Sequence, residues 1–346
     1  MAWVILALTV VLEGVTPDAF CSSLRFFDSV PGRLLIILTD RGQPPDHQAC
    51  VVRGTDAMPI SLPSAELLSN AAVFYGANWG PTPEQVLLSF CSTRSGPLKY
   101  CPIVLSTLSG CFIRKYPDSS ATEIPDPDGR LRGIVFGGAH VSVAGDLMAV
   151  HFEDKAKIIR MADGETIAEI GPVSNDYVWG PDGGSIAFTR SPTPLRGAMQ
   201  ETQLFIHDLR TGNDRQLTHF PAKDYRPWWQ PFSPPLLRYP IVTGVSWAPR
   251  ANIIGFYVAP DRELHIWNPD GYEIKKITLE GNCFRDTQLD TDGQRVMYID
   301  PSSAGRCLDH AWDQIRLANL STGDDRIIVD VNDENVAIEK IYWATD

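Results

Sequence analysis

Residues 177–190 read YVWGPDGGSIAFTR, and residues 203–218 complete the unit with QLFIHDLRTGNDRQLT. Each half is a short strand, a turn and a second strand. Pro-Asp-Gly and Thr-Gly supply the turn chemistry, because glycine accepts a positive φ and aspartate bonds its own backbone, so antiparallel neighbours reverse tightly. The alternation around Leu204 and Ile206 suits half-buried strands of one sheet packed on another.

The unit recurs in weaker form along the chain. NWGPTPEQVLLSF from Asn78, VSWAPRANIIGFYV from Val245 and TQLDTDGQRVMYID from Thr287 repeat the first half. HVSVAGDLMAVHF from His140 fits less well, and SVPGRLLIILTD from Ser29 matches only in its turn and strand. ELHIWNPDGYEIKKIT and KAKIIRMADGETIAEI repeat the second half. Taking Trp179 as a ruler picks out Trp79, Val141, Trp247, Leu289 and Trp343 as its equivalents. The shorter spacings match a four-stranded blade, and the longer ones leave room for insertions. Trp229-Gln230-Pro231 imitates the ruler but lies too close to Trp247 to open a blade.

The expected fold class is therefore all-β: a β-propeller of six blades of four antiparallel strands, with five or seven blades as alternatives. Near the C-terminus, IEKIYWATD begins like another repeat and stops. A single terminal strand there would complete the blade opened by SVPGRLLIILTD and cover edges that otherwise invite aggregation.

VWGPDGGSIAFTR followed by QLFIHDLRTGNDRQLT resembles the WD40-like PD40 repeats of TolB-type β-propellers. The resemblance is best over residues 177–218 and fair over Val245–Thr278; the other units are degenerate. It implies a bacterial-type propeller with a protein-interaction role. The matching residues are fold residues, so no functional site carries over from them.

The chain has 346 residues, with 30 Lys and Arg against 42 Asp and Glu, a formal charge of −12. That charge repels the phosphate backbone, so nucleic acid is not an expected partner. Residues 21–346 are expected to form a single propeller domain. Residues 1–20 hold the apolar run AWVILALTVVL, too short for a transmembrane span but about the length of a signal-peptide core. No basic residue precedes the run and no small-x-small cleavage pair follows it, so a signal segment and an N-terminal strand both stand. The expected location is extracytoplasmic, periplasmic or secreted, with cytoplasmic as the alternative.

Seven cysteines are present, of which Cys21 and Cys50 bracket the first hairpin. None has C-x-x-C spacing with a partner histidine, so zinc is not expected. Disulfides and buried free thiols both remain open, and the odd count leaves at least one thiol outside an intramolecular pair.

No G-x-S-x-G elbow and no H-E-x-x-H motif occurs, and the seven histidines are scattered. Asp126-Pro127-Asp128-Gly129 and residues 330–335 read as turns instead of calcium loops. No catalytic residue, cofactor or metal ligand is assigned. The least ordinary segment is FPAKDYRPWWQPFSPPLLRY, residues 220–239. Its Tyr225, Arg226, Trp228, Trp229 and Phe232 are the expected binding residues, since aromatics and arginine bury large area with few rotors. Packing between two blades is the competing role for them. A second insertion, residues 191–201, falls between two strands of the best-matched unit and should project from the scaffold. The expected function is a non-catalytic scaffold binding a protein or peptide partner through its loops or channel mouth. The alternative is a hydrolase or lyase acting on carbohydrate or another small polar substrate, with acidic residues at the central channel.

Overall fold

The computed structural model describes residues 21–40, 47–60, 72–79, 81–82, 84–92, 103–107, 112–116, 140–152, 155–173, 176–191, 202–221, 223–225, 236–238, 240–259, 263–279, 285–300, 314–331, 333 and 336–344. β1 (Leu24–Phe26) precedes a meander of β2 (Val30–Asp40), β3 (His47–Gly54) and β4 (Asp56–Pro59). Next come β5 (Ala72–Trp79), β6 (Gln85–Ser92), β7 (Ile103–Thr107) and β8 (Phe112–Tyr116). A third group holds β9 (His140–Val141), β10 (Leu147–Phe152), β11 (Lys155–Arg160) and β12 (Thr166–Ile170). The fourth holds β13 (Tyr177–Trp179), β14 (Ser185–Arg190), β15 (Gln203–Asp208) and β16 (Asn213–Gln216). β17 (Lys223–Tyr225) and β18 (Leu236–Arg238) form a separate two-stranded sheet. The fifth group is β19 (Ile241–Ala248), β20 (Ile253–Ala259), β21 (Glu263–Trp267) and β22 (Glu273–Thr278). The last is β23 (Arg285–Leu289), β24 (Arg295–Asp300), β25 (Gln314–Asn319) and β26 (Asp325–Val331), followed by β27 (Val336–Ala344).

Among the described residues these strands make sheets I (β27-β2-β3-β4), II (β5 to β8), III (β9 to β12), IV (β13 to β16), V (β19 to β22) and VI (β23 to β26, then β1). Every ruler residue lies on the first strand of its sheet: Trp79 on β5, Val141 on β9, Trp179 on β13, Trp247 on β19, Leu289 on β23 and Trp343 on β27. Those first strands touch in succession, β5 to β9, β9 to β13, β13 to β19, β19 to β23 and β23 to β27, so they line a common axis. The fold is an all-β propeller.

The core sits between the sheets. Apolar clusters join each sheet to the next: I to II through Ile37 and Leu88, II to III through Leu87 and Met148, III to IV through Ile158 and Phe188. IV joins V through Ile206 and Phe256, V joins VI through Leu264 and Tyr298, and VI joins I through Ile299, Leu34 and Ile36. Full burial of each such side chain contributes about 1.5–3 kcal/mol.

The hairpin turns repeat in geometry as well as in sequence. Gly180 N–H donates to Ser185 C=O (2.8 Å) and Gly183 N–H to Gly180 C=O (3.1 Å). Ser142, Leu147 and Gly145 make the same pair of bonds, as do Asp290, Arg295 and Gly293. Asp182 Oδ1 accepts from Gly184 N–H (3.1 Å) and from the Ser185 hydroxyl (2.8 Å), the local bonding expected of aspartate in a turn.

The ring closes at three places. β27 pairs antiparallel with β2 from Arg33↔Ala344 to Asp40↔Val336, the completion read from IEKIYWATD. β1 adds a fifth strand to sheet VI through Leu24↔Val331 and Phe26↔Val329. A disulfide joins Cys21, just before β1, to Cys50 on β3. No feature of Leu-Arg-Phe marks β1 as a strand, because three residues carry no period.

Candidate functional site

Strand direction places the two insertions. β13 runs toward the turn at 180–184 and β14 runs back, so the chain enters both insertions, at residues 191 and 221, from the face opposite the turns. Both are held at their roots by Thr202 and Gln203. Gln203, buried, donates through Nε2 to Phe220 C=O (2.9 Å) and accepts at Oε1 from Phe220 N–H (3.0 Å) and the Thr218 hydroxyl (2.8 Å). Thr202 N–H donates to Pro240 C=O (3.0 Å), and its Oγ1 accepts from Val242 N–H (2.6 Å). The ring of Phe220 packs on His265 at 5.1 Å, Phe256 at 6.1 Å and Trp267 at 6.2 Å. Two adjacent residues thus tie the root of the first insertion to both roots of the second.

Of the expected binding residues, Tyr225 lies at the end of β17, opposite Leu236 of β18. Arg226, Trp228, Trp229 and Phe232 lie outside the described residues. DYRPWWQP is similar in sequence to the lead-in of a blade, yet its first residues, Asp224 and Tyr225, belong to the two-stranded sheet of β17 and β18 instead.

The axis carries a cluster that motif searching missed. Asp176 Oδ2 accepts from the Thr243 hydroxyl (2.7 Å) and Gly244 N–H (3.1 Å), tying sheet IV to sheet V. The Thr287 hydroxyl donates to Gly244 C=O, tying V to VI. His140 lies 4.7 Å from the Tyr177 ring and 5.7 Å from the Tyr342 ring, and Lys340 Nζ stands 5.6 Å from the Tyr342 centroid. Indole N–H groups fix the backbone beneath: Trp79 donates to Tyr342 C=O (3.1 Å) and Trp179 to His140 C=O (2.8 Å).

The charge states follow from this enclosure. Burial, reinforced by the Lys340 charge, lowers the His140 pKa to about 3, so its ring is neutral in neutral solution. Burial alone would lower Lys340, but Tyr342, Asp286, Asp176 and Tyr177 outweigh it and hold the ammonium above its ordinary value. Burial and the Asp286 charge raise Tyr342 against the opposing effect of Lys340. None of these three groups titrates near neutrality, where a general acid or base works best. Among the described residues no group of three or more His, Cys, Asp or Glu is placed to hold a metal ion.

The signal for this cluster was present in the repeat. Asp176, Asp286 and Lys340 each stand three residues before a ruler residue, where Gly76 and Gly244 stand in their own units. β-Bulges fall at this level of β5, β19, β23 and β27, and bulges re-aim side chains.

Neither a family model nor a curated protein matches this chain. Solved structures do. A chain of a nidogen–laminin complex is similar over 90% of this chain and 97% of its own, with a TM-score of 0.56 and 11% identity. A protein of Agrobacterium tumefaciens assigned as a TolB is similar over 89% and 97%, with a TM-score of 0.50 and 16% identity. At such identities the likeness carries the fold alone: this chain is a β-propeller similar to those two.

Proposed function

We propose that residues 21–346 form one six-bladed propeller, sheets I to VI being its blades, and that it is a non-catalytic scaffold for a protein or peptide partner. The observation that carries the reading is the clamping of the 220–240 insertion by Thr202 and Gln203. Roots held by a packed scaffold lower the conformational entropy lost on binding. Tyr225, Arg226, Trp228, Trp229 and Phe232 are the proposed contact residues, through aromatic and guanidinium surface. An extracytoplasmic location is supported by the Cys21–Cys50 disulfide, since such bonds persist in oxidising compartments. Among the described residues no helix is long and apolar enough to cross a membrane.

The test captures partners from an envelope extract on the immobilised protein and then measures the affinity of the partner identified. Trp228→Ala with Trp229→Ala is expected to weaken that affinity at least tenfold, about 1.4 kcal/mol, with an unchanged melting temperature. A double variant that loses its fold, with no separable binding effect, would assign the two indoles to packing between blades.

A second reading is a hydrolase or lyase acting on a carbohydrate or other small polar substrate. It is favoured by the convergence of His140, Asp176, Asp286 and Lys340 at the axis. Turnover of a glycoside panel that is abolished by Asp286→Asn would establish it over the scaffold reading.

A further inference from the structure

On the turn face, at the opposite end of the ring from the insertion roots, sheets IV and V enclose a groove of about 630 Å³. That volume lies within the range of small-ligand pockets. Arg215 crosses between the sheets, donating to Asp270 C=O (3.2 Å) and Pro269 C=O. No carboxylate pairs with it among the described residues, and a guanidinium has five N–H donors, so donors remain for a ligand. The same groove is lined by acceptors already fixed in place. Asp208 Oδ1 is held by Arg210 N–H (2.8 Å) and Thr211 N–H (3.1 Å), and Asp182 Oδ1 by the turn bonds described above. The second oxygen of Asp208 lies 3.8 Å from Arg210 Nη2, an ion pair too long to be a hydrogen bond, which leaves it able to accept from a hydroxyl.

The balance of charge and shape narrows the ligand class. Asp182, Asp208 and Asp270 outnumber Arg210 and Arg215, which disfavours an anion. The lining is mostly turn and strand-end side chains, with Asn213 and Arg215 coming from β16, the outer strand of sheet IV. Interleaved fixed donors and acceptors suit hydroxyl groups, each of which donates and accepts. Part of the wall is apolar, from Ile206, Trp247 and Pro269, which suits the C–H face of a sugar ring. We infer that this groove binds a neutral saccharide, with Arg215, Asp208 and Asn213 as its polar contacts.

The experiment titrates the full chain with maltohexaose, cellohexaose and mannohexaose by calorimetry, with inorganic phosphate as the anionic control. At least one hexasaccharide is expected to bind with a Kd of about 1 mM or tighter. Arg215→Gln and Asn213→Ala are each expected to weaken it at least tenfold without lowering the melting temperature. Should Arg215→Gln disturb the fold, Asn213→Ala alone decides, because Asn213 is exposed at the start of β16. The Trp228→Ala, Trp229→Ala variant should bind the saccharide like the parent, which separates this site from the partner site. Absence of binding by all three sugars, preference for phosphate, or undiminished binding by the variants would overturn the inference.

Discussion

Gly244 shows how one residue sets the approach of two sheets. Its φ is 63°, and a Cβ there would stand 2.8 Å from Thr287 Oγ1 and 3.0 Å from Thr287 N. The hydroxyl can rotate away, but the backbone nitrogen cannot. Gly244→Ala is expected to destabilise the protein by about 2–4 kcal/mol, combining left-handed strain with overpacking. Gly183, with φ 65° and open space around it, isolates the first effect. Gly183→Ala should cost only about 1–2 kcal/mol in the same urea titration. Turn glycines of this kind were legible in the sequence because turn chemistry is local. The axial residues were harder to read, because Asp176, Asp286 and Lys340 differ in type and become equivalent only when counted back from the ruler.

At the scale of elements, sheet VI carries a buried ionic network. Arg316 Nε donates to Asp325 Oδ1 (3.0 Å), the Tyr298 hydroxyl donates to the same carboxylate, and Asp300 lies 3.8 Å from Arg316. Burial raises the Asp300 pKa to about 6, opposed by Arg316 and reinforced by Asp325. A raised acid pKa means that the fold favours the protonated form. Stability from this group is therefore fullest below about pH 4 and is lost as pH rises through about 6. Asp300→Asn is expected to raise stability at pH 7–8 by on the order of 1–3 kcal/mol and to flatten its pH dependence between about pH 4 and 7, read from melts across that range. Repetition made most strands visible in advance, since a period of two combined with Gly-containing turns defines a meander. β1 and the β17–β18 pair lie outside the repeat; β1 is specified by its pairing with the distant β26, and β17 and β18 pair only with each other.

For the whole molecule, the ring was legible because its units recur, and a partner was not, because the insertions proposed to contact it do not repeat. The seam between sheets VI and I is held by β27, by β1 and by the Cys21–Cys50 bond. Removing that bond, by Cys21→Ser with Cys50→Ser, is expected to destabilise the protein by about 3 kcal/mol, read as a lowered melting temperature against the oxidised parent. Neighbouring sheets should respond together, since each shares an apolar cluster with the next.

The pairing of β27 with β2 has a consequence for biosynthesis. The innermost strand of the first sheet is translated about 300 residues after its neighbour, so nascent β2 must wait on the ribosome with one edge uncovered. Sheets II to V can assemble as they emerge, but the first cannot. A message cut short before Val336 would yield a protein whose opening sheet is never finished, however sound the sheets between.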